Sequence, residues 1–119
     1  MKKIALTLLM AAMCSFYVTA QSSITGIWNT EDDNTDIEIY QDNDVLMGKV
    51  HSSDNEKVKL GSLILKDLKE SDEVYKGKIY ATKRKEWYDV EITPKGDKLD
   101  LKIDAGLVSK SLTWNKVNK

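Results

Sequence analysis

The residues with the chemistry to act are few and badly matched to one another. His51 is the single histidine of the chain, and Cys14, the single cysteine, lies in an N-terminal apolar run. A Ser-His-Asp site would have to gather His51, a serine and an acid from distant places. No Gly-x-Ser-x-Gly elbow is present to hold a serine nucleophile on a strained turn. Asp32, Asn34 and Asp36 match the first half of a calcium loop. The sixth position of that loop needs glycine and has Ile37, and the twelfth needs a bidentate glutamate and has Asn43. The many acids alternate with lysines, as on a solvated face, so none is expected to be buried with a raised pKa. The expectation is no catalytic residue, no metal, no cofactor and no enzyme.

Two sets could instead bind. Lys83-Arg84-Lys85, followed by Trp87 and Tyr88, forms a basic tip with aromatic neighbours that could grip an anionic partner. The larger set is apolar: Trp28, Ile37, Ile39, Tyr88, Val90, Ile92, Leu99, Leu101, Ile103, Leu112 and Trp114. These recur on one side of alternating segments. They are either the core of a small domain or the lining of a pocket for a lipid-like molecule.

The elements that must position these residues begin after a leader. Met1-Lys2-Lys3 is a positive n-region, Ile4 to Tyr17 an apolar h-region, and Val18-Thr19-Ala20 a small-residue cleavage signal. Residues 1–20 therefore read as a signal peptide cut after Ala20, which addresses the protein to the periplasm or the outside. Met13 before Cys14, and the apolar residues after it, argue against a lipid-anchoring signal. Residues 21–119 form a single domain without cysteine, so one core must stabilise it unaided. That part carries sixteen basic against nineteen acidic residues, which gives no footprint for nucleic acid. No transmembrane segment is expected after cleavage.

Residues 24–29 read as a strand, 35–41 and 45–51 as a hairpin about Asp42-Asn43, and 74–82 and 87–93 as a second hairpin about the basic tip. Pro94-Lys95-Gly96-Asp97 reads as a turn, 98–104 alternates cleanly, and 110–117 closes the chain. Residues 60–68 are ambiguous. Leu60, Ile64 and Leu68 have helical spacing, whereas Leu63-Ile64-Leu65 suits a buried strand or an irregular crossover. Seven or eight short strands, with turn signals roughly every 8–12 residues, imply an all-β fold, a small antiparallel up-and-down barrel.

Several motifs occur in order along this frame. They are Gly26-Ile27-Trp28, Met47-Gly48-Lys49-Val50, Gly61-Ser62-Leu63-Ile64-Leu65, Gly77-Lys78-Ile79-Tyr80, Tyr88, Lys98-Leu99-Asp100-Leu101 and Leu112-Thr113-Trp114-Asn115-Lys116. Together they resemble the bacterial domain of unknown function 2147 family, small exported lipocalin-like proteins of calycin type. The resemblance implies a barrel in which Trp28 packs across the floor near the closing strand, and it implies no established activity. The family's turn after Ile-Tyr is replaced here by residues 81–86. Lys116 stands where the family has an arginine that would stack on Trp28, and lysine lacks the planar face.

Two functions fit these observations. One is a non-catalytic binding module for a small apolar ligand, floored by Trp28 and Trp114. The other is an envelope or surface protein with a filled barrel, whose outer face or basic tip binds a protein partner.

Overall fold

The computed structural model describes residues 24–117, and the expected signal peptide with Cys14 lies outside them. Eight strands follow in order: β1 Gly26–Asn29, β2 Asp36–Asp42, β3 Val45–Ser52, β4 Leu63–Ser71, β5 Val74–Ala81, β6 Glu86–Lys95, β7 Lys98–Asp104 and β8 Ser109–Lys116. Each pairs antiparallel with the next. β8 returns to β1 through Trp28↔Lys116 and Asn29↔Asn115, closing an all-β barrel. Among the described residues no helix is long and apolar enough to cross a membrane.

The barrel forms because alternating residues reach one interior. Every strand contributes to a single buried cluster that runs from Trp28 on β1 to Trp114 on β8. Leu65, Ile92 and Leu99 have no exposed surface at all. The opposite face of each strand meets water, so only alternate positions need be apolar.

Connections alternate between two ends. Residues 30–35, 53–62, 82–85 and 105–108 form one end, the mouth. The tight turns at residues 43–44, 72–73 and 96–97 form the other, the floor. Hydrogen bonds agree with this division. Thr35 Oγ1 and Ser53 Oγ lie 2.7 Å apart across two mouth loops, and Lys116 N donates to Asp97 O (2.8 Å) at the floor. Asp72 and Glu73 both have positive φ, the type I′ geometry that suits two-residue hairpins.

Two local expectations are corrected. Ile24 precedes β1 rather than belonging to it. It is buried under the floor, where its carbonyl accepts a hydrogen bond from Trp28 Nε1 (2.9 Å). Pro94 and Lys95 extend β6, pairing with Leu99 and Lys98, and the chain reverses at Gly96-Asp97 instead.

The ambiguous segment is strand from Leu63 onward, and Leu60 is exposed in the preceding loop. Its helical spacing has a cause. The β4–β5 register shifts between Lys66 and Lys69, and Asp67 has φ +57°. The extra residue of this β-bulge lets Leu65 and Leu68, three apart, both point inward.

Candidate functional site

The eleven residues expected on the inward face do converge there. Trp28, Ile37, Ile39, Val90, Ile92, Leu99, Leu101 and Trp114 are buried, and Tyr88, Ile103 and Leu112 are half-buried against them. Seven further residues share that interior: Ile24, Leu46, Val50, Leu65, Leu68, Tyr75 and Ile79. For most of these the period-two signal in β3, β4 and β5 was available to find them. Leu68 escapes it because of the bulge, and Ile24 because it lies outside a strand.

The floor is built on Trp28. The register places Lys116 beside it, and Lys116 Nζ lies 5.1 Å from the centre of the Trp28 ring. Lysine thus supplies the cation over the ring as a point charge, without the planar stacking an arginine would give.

The expected basic tip is divided by strand alternation. Trp87 faces outward and Tyr88 inward, because neighbours in a strand point to opposite faces. Arg84 Nη1 reaches the Tyr88 hydroxyl at 3.5 Å. Trp87 instead meets Tyr80 directly across the hairpin, with ring centres 5.1 Å apart, and Lys66 Nζ lies 4.3 Å from the Trp87 ring centre. This outward aromatic–cation cluster draws on β4, β5 and β6. Only the strand register brings its members together.

Below that cluster lies an open depression of about 800 Å³ on the outer wall. Its surface is set by two cross-strand rows, Lys76–Glu91–Lys102 and Lys78–Asp89–Asp104. Asp67 borders it on the β4 side and residues 106–109 on the β8 side. Lys78 Nζ is 2.5 Å from Asp89 Oδ1. Three lysines interleaved with acids suit a partner that is itself of mixed charge, and each exposed pair adds little stability on its own.

The calcium half-motif takes another form. Asn29 Nδ2 donates to both Asn34 Oδ1 (2.8 Å) and Asp36 Oδ1 (2.7 Å), and Ser52 Oγ donates to Asp36 Oδ2 (3.3 Å). Asp36 is buried, which corrects the expectation that no acid would be. The β2–β3 register shifts between Asp36 and Ile37, so the strict in–out alternation fails there. The described residues hold no cluster of three or more His, Cys, Asp or Glu side chains arranged for a metal ion. His51 is exposed on β3.

The family model of an uncharacterised protein conserved in bacteria, DUF2147, matches residues 26–116. The chain belongs to this family. The match covers all eight strands, and two of the glycine-bearing motifs fall at sites of close approach. In this DUF2147 barrel, a Cβ on Gly48 would stand 2.9 Å from Leu65 Cδ1, and one on Gly77 would stand 2.6 Å from the Lys66 carbonyl oxygen. No curated protein and no solved structure matches the chain.

Proposed function

We propose that this DUF2147 protein is a non-catalytic binding module of the cell envelope or exterior that meets a protein partner with its outer wall, its interior serving as core. The observation that carries the reading is the depression on β5–β7. It is broad and accessible, and its charges are interleaved rather than of one sign. The aromatic cluster of Tyr80, Trp87 and Lys66 adjoins it and adds apolar surface of the kind that anchors interfaces. The packing of bulky side chains from all eight strands supports the interior as core, since a small domain with no cysteine in residues 21–119 needs that burial.

Charge reversal inside the depression tests this. A Lys78→Glu, Lys102→Glu variant loses the partner that wild type retains on purification from its own host, while a floor variant, Asp44→Ser, keeps it. Retention by both variants sinks the reading.

A second reading, a small apolar ligand at the mouth of the barrel, is favoured by Tyr88, Ile103 and Leu112. These three inward residues are only half-buried, and so keep apolar surface to offer. Native mass spectrometry separates the two. Wild type carrying a stoichiometric small molecule supports the ligand, and a bare mass supports the core.

A further inference from the structure

The three large hydrophobic residues that stand exposed among the described residues all lie at one end of the barrel. Leu60 is in the β3–β4 loop, and Leu107 and Val108 are in the β7–β8 loop. Both loops belong to the mouth. Leu107 is fully exposed at the tip of a turn closed by Ala105 N donating to Val108 O (2.9 Å). Turn tips ordinarily carry glycine, asparagine, aspartate or serine, so two bulky aliphatics here are unusual.

Between these loops, on the same end, is the β5–β6 tip with Lys83-Arg84-Lys85. The three adjacent loops form an arc: apolar, basic, apolar. Lys57 and Lys59 flank Leu60, and Lys110 follows Val108, all three exposed. Over residues 54–60, 82–86 and 105–110 the arc has six basic side chains against three acidic. The floor is the reverse, with six acidic against two basic over residues 42–44, 70–73 and 95–98. Residues 30–35, the fourth mouth loop, add three acidic side chains and no basic one, so the mouth as a whole is balanced and its positive charge is confined to the arc, while the floor is acidic.

We propose that the mouth arc docks on an anionic lipid bilayer. An anionic surface orients the molecule before contact, drawing in the Lys83-Arg84-Lys85 loop and repelling the acidic floor. Aliphatic side chains that stand clear of the protein can then enter the headgroup–acyl boundary, while the lysines and Arg84 meet phosphates around them. The arrangement suits a fluid surface better than a protein face. The tips project from separate loops with a basic loop between them, instead of forming one flat apolar patch of the kind that marks a protein interface. Leu107 and Val108 also border the side-wall depression, whereas Leu60 and Lys83-Arg84-Lys85 do not, so the charge variant separates lipid docking from partner binding.

The test compares binding of the full chain to vesicles of phosphatidylglycerol and to vesicles of phosphatidylcholine. Wild type and variants share residues 1–23, so any difference between them reads the mouth alone. The expected result is preferential binding of wild type to phosphatidylglycerol. Removing the tips (Leu60→Ser, Leu107→Ser, Val108→Ser) weakens that binding about tenfold or more, as the loss of inserted aliphatic area requires. Removing the charge (Lys83→Gln, Arg84→Gln, Lys85→Gln) abolishes the preference. Because every replaced side chain is exposed, the thermal midpoint stays with wild type. A polarity-sensitive dye on Leu107→Cys shifts to the blue with phosphatidylglycerol vesicles. Equal binding to both lipids, variants that bind like wild type, or a dye that responds to a protein partner and not to vesicles would each overturn the proposal.

Discussion

Gly77 on β5 faces the Lys66 carbonyl on β4 so closely that a Cβ on Gly77 would stand 2.6 Å from the oxygen. The closeness follows from the bulge. The extra residue at Asp67 pushes the β4 backbone against its neighbour, and the Asp67 carbonyl oxygen would also lie 2.8 Å from that Cβ. Backbone cannot yield as a flexible side chain can. Gly77→Ala is therefore expected to destabilise the barrel by about 1–3 kcal/mol through forced separation of β4 and β5. Gly48→Ala meets only the Leu65 side chain and should cost less. Urea denaturation of both variants checks the order, and an equal or reversed ranking would remove the bulge as the cause.

Trp28 is held in the floor by its hydrogen bond to the Ile24 carbonyl and by Lys116 over its ring. Trp28→Ala should cost about 3–5 kcal/mol, the usual range for emptying a large aromatic site. Lys116→Ala should cost about 0.5–1 kcal/mol, since the cation is exposed at the rim of the floor. Calorimetry of the two variants and of the double variant measures their coupling. Strict additivity would show that the cation contributes nothing to the ring.

Asp100 has its carboxyl held below the ordinary 3.8, chiefly by the hydrogen bond from Lys95, which outweighs the opposing desolvation, with further help from that lysine's charge and the Thr113 hydroxyl. Because the folded value is the depressed one, the ionised form favours folding. That contribution is complete above pH 3.8 and fades as pH falls below it through the folded value. Asp100→Asn should lose this acid-side dependence while matching wild type's pH profile in shape near neutrality. Thermal midpoints taken between strong acid and neutral pH decide it; parallel profiles throughout would contradict the assignment.

The seam between β8 and β1 spans only two register pairs, so Ser109 to Thr113 are paired on the β7 side alone. Lys110 alternates with Leu112 and Trp114 and so sits on the core side of this free edge. A charge in that place discourages edge-to-edge pairing. Lys110→Val is expected to raise the sedimentation mass of the protein at high concentration. A variant that stays at the wild-type mass would show that the edge is protected by something else.

Trp87 lies on the outer wall, and its loss should leave the core intact. Trp87→Ala is expected to change stability by no more than about 1 kcal/mol, the worth of its contacts with Tyr80 and Lys66. A loss as large as that of Trp28→Ala would place Trp87 among the structural residues.

Strand alternation carries most of what the sequence by itself determined. Residues 98–104 alternate cleanly, and β7 spans Lys98–Asp104. The eleven inward residues could be named because burial on one face demands every second position. Family membership was legible because its motifs recur in order along the strands.

What only the tertiary structure decided involves contacts between segments far apart in the chain. The Asp67 bulge breaks the alternation on which the reading depends, and it exists because β4 must pair with β3 and β5 at once. Asp36 is buried because its strand shifts register against Ser52. Lys66, Tyr80 and Trp87 meet, and apolar tips from separate loops gather at one end, because closing the sheet fixes which strands are neighbours and which connections share an end. Periodicity sets the face a side chain takes. Closure sets the company it keeps.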